Sequence, residues 1–148
     1  MKNLKSDRSF VAYAWIVLGV VARLIPHPAN VSPLTAISAF GGSQLGRKAG
    51  LVLTLATMAV SDLLLSLAYG HQPFGLWSLF TYSGFAAIVL AGSTLRPSGF
   101  SGSMGLVAGG SLFFWVWTNF GIWLTNDHGM YPYSLAGLTA CYANALPF

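Results

Sequence analysis

The chain has 148 residues, 55% hydrophobic and 7% charged, with a mean hydropathy of +0.65 and a net charge of +4. Soluble domains carry about 25% charged residues, and three acids with seven bases cannot clothe a soluble core of this size. That excludes a soluble globule and predicts an all-α integral membrane protein, a single transmembrane domain over 1–148 built as a bundle of about six short helices.

Phe10 to Ile25 is the first apolar run. Lys2, Lys5 and Arg8 before it imitate the basic end of a signal peptide, but the run meets Pro26-His27-Pro28 and no A-x-A site, so it reads as a retained span. Pro33 to Gly46 is the second and weakest, about 14 residues against the roughly 20 of a perpendicular span. Gly42 and Gly46 form a G-x-x-x-G suited to close helix contact. The third, Ala49 to Ala68, has the clearest two-sided pattern. Projection at about 100° per residue puts Thr54, Thr57, Met58, Ser61, Asp62, Ser66 and Tyr69 on one side and aliphatic residues on the other.

Leu76 to Gly92 is the fourth run, with Ser78, Thr81, Tyr82 and Phe85 sharing a face, and Ser93 to Ser103 reads as a loop rich in Gly and Ser. The fifth, Met104 to Leu124, opens with glycines and closes with tryptophans; Trp115, Asn119 and Trp123 are four apart and share one helical face. Asn126, Asp127, His128, Tyr131 and Tyr133 around Gly129 and Pro132 form an ordered loop. The last run, Leu135 to Phe148, is short for a span and is expected to be truncated.

The bases orient the bundle. Lys2, Lys5 and Arg8, then Arg47 and Lys48, then Arg96 fall on one side if all six runs cross, which makes that side and the N-terminus cytoplasmic. His27, His71, His128 and Asp127 then gather on the outer face, each histidine on a different loop, so no metal-ligand spacing exists and no metal site or cofactor is expected. Cys141 is the lone cysteine and allows no internal disulfide. The bases serve as topology signals, and no nucleic-acid partner is expected.

Two charges lie within apolar runs, Arg23 and Asp62, both in the outer halves of outward-running spans. An isolated charge at mid-membrane costs at least about 2.5 to 3.5 kcal/mol, so an intramembrane ion pair between them is expected. Asn119 likewise gains nothing from facing lipid. A pocket lined by Asn119, Trp123, Tyr82 and Tyr142, with the outer loops as lid, matches the usual ligand site of apolar walls and a few placed polar groups. No nucleophile elbow, H-E-x-x-H or Walker loop occurs, and with three acids the chain is not expected to be an enzyme.

The segments R-L-I-P-H-P-A-N-V-S-P from Arg23, the A-F-G-G that follows, N-F-G-I-W-L and Y-P-Y-S-L-A-G-L-T-A-C-Y-A-N-A-L-P-F resemble those of an uncharacterised family of small bacterial inner-membrane proteins to which a transport role is ascribed. More distantly, six short spans with both ends inside resemble the substrate-binding S components of energy-coupling-factor (ECF) vitamin transporters. That resemblance implies outer loops and late helices enclosing a vitamin-like ligand, with an ATPase and a transmembrane module as energising partners. The first span lacks the A-x-x-x-A pair typical of S components, for which Gly42 to Gly46 or Gly105 to Gly109 would substitute.

The expected function is therefore capture of a small heterocyclic nutrient from the outer side of the bilayer for uptake. Asn119, Asp62 and His27 would hydrogen-bond it, Trp123, Tyr82 and Tyr142 stack on it, and the His128 loop gate it, with Asn30 and Tyr131 completing the set. The alternative is a non-catalytic membrane scaffold or accessory subunit packing against partner helices.

Overall fold

The computed structural model describes residues 3–25, 33–70, 72–126 and 129–146, with side chains from Ala14 onward in the first of these. Helices are the regular structure among the described residues: α1 Asn3–Leu24, α2 Leu34–Phe40 continuing into a π-helical turn Gly41–Leu45, α3 Arg47–Tyr69, α4 Leu76–Leu95, α5 Gly99–Thr125 and α6 Leu135–Asn144. Three of them, α3, α4 and α5, are long and apolar enough to cross a membrane, and the Ala14–Leu24 part of α1 is a shorter apolar helix.

The centre is α4, which packs on α2, the π turn, α3 and α5. Leu34 and Ala39 from α2, Met58 from α3, and Phe85 and Ile88 from α4 form the buried cluster. Two glycines bring α2 and α4 together. A Cβ on Gly42 would collide with the Val89 carbonyl, and one on Gly92 would stand 2.5 Å from the Ala39 carbonyl oxygen. Backbone therefore meets backbone at this crossing, the kind of contact that small residues permit between apolar helices.

The predicted Gly42 and Gly46 pair is thus only half a contact motif. Gly46 has φ +79° with nothing near its missing Cβ; it turns the chain between the π turn and α3, a conformation glycine adopts without strain. The short second run is accordingly a seven-residue α-helix plus a five-residue π turn. The π turn carries Gly41 and Gly42 past α3 and α4, where Gly50 and Val89 stand close.

The predicted loop from Ser93 to Ser103 shrinks to Arg96, Pro97 and Ser98. Arg96 closes α4 in the left-handed region at φ 42°, its N–H bonded to the Gly92 carbonyl, and Pro97 after it cannot continue the helix. The glycine- and serine-rich stretch beyond it is helical from Gly99, with the Ser103 hydroxyl donating to the Gly99 carbonyl at 2.9 Å. Asn126, at φ 44°, ends α5 in the same left-handed manner.

α6 packs only on α5 among the described residues. Ser134 caps it, accepting from the Gly137 N–H at 3.1 Å. Residues 72–75 and 129–134 lie at one end of the bundle and Arg47, Lys48 and Arg96 at the other, here the aromatic and basic ends.

Candidate functional site

The predicted polar stripe of α3 faces inward along most of its length: Thr54, Thr57, Met58, Ser61 and Asp62 are buried, Ser66 is half-buried and Tyr69 exposed. Towards the aromatic end the stripe becomes a four-residue network. Arg23 of α1 donates through one Nη to Asp62 Oδ1 at 2.6 Å and to the Ser61 hydroxyl at 2.7 Å. Tyr82 of α4 donates its phenol to the other carboxylate oxygen at 2.7 Å. Ser61 in turn donates to the carbonyls of Thr57 and Met58.

Asp62 is thus held by a cation on one oxygen and a phenol on the other and ties α1, α3 and α4 together. The Asp62 side chain is 5% exposed and that of Arg23 20%, so the pair sits where water screens it little. A charge-assisted contact of this kind is among the stronger hydrogen bonds.

The face of Trp115, Asn119 and Trp123 is real, but α6 and its leading loop occupy it. Trp115 donates its indole N–H to the Ala145 carbonyl at 3.3 Å and Trp123 to that of Pro132 at 3.1 Å. Between them Tyr142 donates to the Val116 carbonyl at 2.8 Å, and the Cys141 thiol lies 3.4 Å from the Asn119 carbonyl oxygen. The Asn119 amide, buried, donates to the Trp115 carbonyl one turn back. Each of these donors ends on a backbone carbonyl of the α5 and α6 hairpin. Tyr82, the fourth residue expected with Asn119, Trp123 and Tyr142, is turned instead to Asp62, so the four do not enclose a common hollow.

A hollow does exist nearby. A cavity of about 310 Å³ opens at the aromatic end between α4, α5 and the loop after α5, lined by Trp77, Thr81, Thr118, Ile122, Thr125, Asn126, Met130 and Tyr131. Tyr131 is the one predicted site residue in that lining; His27, Asn30 and His128 lie outside the described residues. Thr81 and Tyr82 are chain neighbours but diverge by a helical step, Thr81 to this cavity and Tyr82 to the carboxylate.

The cavity has a definite hydrogen-bonding character. Thr81 donates to the Trp77 carbonyl and Thr118 to the Phe114 carbonyl, so the hydroxyl hydrogens are used and the oxygen lone pairs remain as acceptors. Asn126 accepts the Tyr131 N–H through Oδ1 at 3.2 Å, leaving its amide N–H₂ as donor. Asn144 of α6 donates to the Tyr131 hydroxyl at 3.3 Å, which holds that ring from behind. None of the described lining residues is acidic or basic. No group of three or more His, Cys, Asp or Glu suited to a metal occurs among the described residues.

Sequence reasoning passed over Trp77, Thr81, Thr118, Thr125, Asn126 and Met130 as site residues. The signal was present: Thr118, Ile122 and Thr125 follow at steps of four and three, one face of the last two turns of α5.

Residues 3–148 match the model of a protein family of unknown function, DUF6580, and the chain belongs to that family. No curated protein and no solved structure matches it.

Proposed function

We propose that this member of DUF6580 is a multi-pass protein of the bacterial inner membrane that binds a small neutral, hydrogen-bonding heterocycle from the outer side for uptake, without chemistry on the ligand. In this reading the aromatic end faces outward and the basic end the cytoplasm, as the positive-inside rule favours. The observation that carries it is the cavity of about 310 Å³ with two aromatic rings, acceptor oxygens from Thr81 and Thr118 and a donor amide from Asn126. Aromatic walls with a few placed polar groups are what a small-molecule site needs. The described lining carries no acidic or basic residue, which favours an uncharged ligand, because a charged one would lose its hydration without gaining a counter-ion from these walls.

The likeness to S components of ECF transporters extends this reading: the protein would be the capture subunit, with an ATPase and transmembrane module as partners. The alternative of an accessory subunit packing against partner helices is favoured by the bare, apolar first half of α5, where Phe100 is 81% exposed.

A thermal-shift panel of neutral heterocyclic vitamins on the detergent-purified chain separates the two, since a ligand selective for the folded form raises its apparent stability. At least one compound should raise the midpoint of wild type and fail to do so for Trp77→Ala and Tyr131→Ala. If nothing in the panel moves wild type, or both variants respond as wild type does, capture at this cavity is wrong.

A further inference from the structure

At the basic end the first half of α5 stands between two grooves. One, of about 470 Å³, runs between α5 and α4 and is lined by Ala87, Ala91, Gly102, Gly105 and Gly109 among others. The other, of about 370 Å³, lies between α5 and the elements α1 and α2, with Trp15, Ile37, Phe40 and Met104 in its wall. Pro97 and Leu106 border both, so the two grooves flank the same helix and come together where the chain enters it.

Next to Pro97, at that junction, the chain carries Arg96. This residue is exposed and held in the left-handed region, and among the described residues its side chain is bonded only through Nε, to the Ser93 carbonyl at 3.2 Å. Its terminal nitrogens have no carboxylate among the described residues, where Asp62 is taken by Arg23. The N-terminus of α5 beside it has no side-chain cap, so its leading N–H groups add positive potential. In the wall of the second groove the Trp15 indole N–H is buried and lacks an acceptor among the described residues.

We infer that this end binds one diacyl anionic glycerophospholipid, its phosphate on Arg96 and the start of α5, with one acyl chain in each groove. A partner helix would cover one groove and leave the guanidinium unmatched. A two-chained anionic lipid matches two apolar grooves with a cation where they meet and offers ester carbonyls as acceptors for the Trp15 donor. The inference rests on the membrane orientation proposed above, in which the basic end meets the anionic cytoplasmic leaflet, and is independent of nutrient capture.

The test uses the full chain, delipidated in mild detergent, titrated with dioleoyl phosphatidylglycerol, with dioleoyl phosphatidylcholine and with inorganic phosphate, read by thermal unfolding and native mass spectrometry. Phosphatidylglycerol should bind one per chain and raise the unfolding midpoint, with phosphatidylcholine about tenfold weaker and phosphate without effect. Arg96→Gln, an exposed change that should leave the lipid-free midpoint in place, should make the two lipids equivalent. Gly105→Leu with Gly109→Leu, which fills the larger groove where nothing stands within 4 Å of either missing Cβ, should abolish one-to-one retention. Equal binding of the two lipids by wild type, a preference that survives Arg96→Gln, a response to phosphate alone, or a lipid-insensitive dimer lost in the glycine variant each overturns the proposal. Failure of the vitamin panel leaves these readouts unchanged.

Discussion

α3 and α5 are both long apolar helices, yet they are held in opposite ways. A third of the most apolar stretch of α3 is buried, 33%, against none of that of α5. α3 turns its hydroxyls and Asp62 inward, where Arg23 and Tyr82 meet them. α5 instead carries a ladder of rings, Phe113 on Trp117, Trp117 on Phe120, Phe120 on Trp123 and Trp123 on Tyr133, with centroids 5.8 to 6.3 Å apart. Hydrophobicity alone does not choose a partner for a helix in an apolar medium, because lipid tails are as apolar as leucine. Polar groups and backbone approach choose for α3; ring contacts and α6 choose for the second half of α5, and the first half is left loosely flanked.

The sharpest way to break this contrast is at Asp62. Asp62→Leu strips the carboxylate from Arg23 and Tyr82 and should cost about 3 kcal/mol, the low end for breaking a buried pair because Arg23 is partly exposed, seen as a large fall in the thermal midpoint in detergent. An unchanged midpoint would mean that the network contributes nothing to the hold on α3. Next, Gly42→Ala should cost about 1 to 3 kcal/mol, since the new methyl meets the Val89 carbonyl. The same change at Gly105, with nothing within 4 Å, should be neutral or stabilise by up to about 1 kcal/mol through helix propensity. Equal effects at the two glycines would erase the distinction between the tight and open crossings. The smallest effect is expected at the cap of α6, where Ser134→Ala should cost about 1 kcal/mol and speed amide exchange of Gly137 while leaving α3 protection unchanged.

The features read correctly from the sequence are those with a strong physical penalty behind them. Arg23 and Asp62 stand out in apolar runs, and the penalty for leaving either alone pointed each to the other; Ser61 joins them because it precedes Asp62 on the same face. The helix, aromatic loop, helix order from Trp115 onward was equally legible, as was the shared face of Trp115, Asn119 and Trp123. What fills that face was not. A Trp or Tyr that docks a neighbouring helix has the same composition and spacing as one that lines a ligand site, and here the hydrogen bonds of Trp123 and Tyr142 end on backbone carbonyls. The early start of α5 was hidden for a different reason, since Gly99, Gly102 and Ser103 have poor helix propensity and only the bonding of a continuous helix overrides it. The cavity at the aromatic end depends on Thr81 and Thr118 lining it from two helices far apart in sequence, which no periodicity reports.

Because α6 rests on α5 alone among the described residues, the described ties that close this hairpin join residues within one contiguous stretch of chain. Pairings that local need little loop closure and form quickly. Ribosomal synthesis delivers α1 through α4 beforehand, so the central crossing at Gly42 and Gly92 is available to assemble ahead of the hairpin, which then arrives as a ready-made two-helix unit docking through α4.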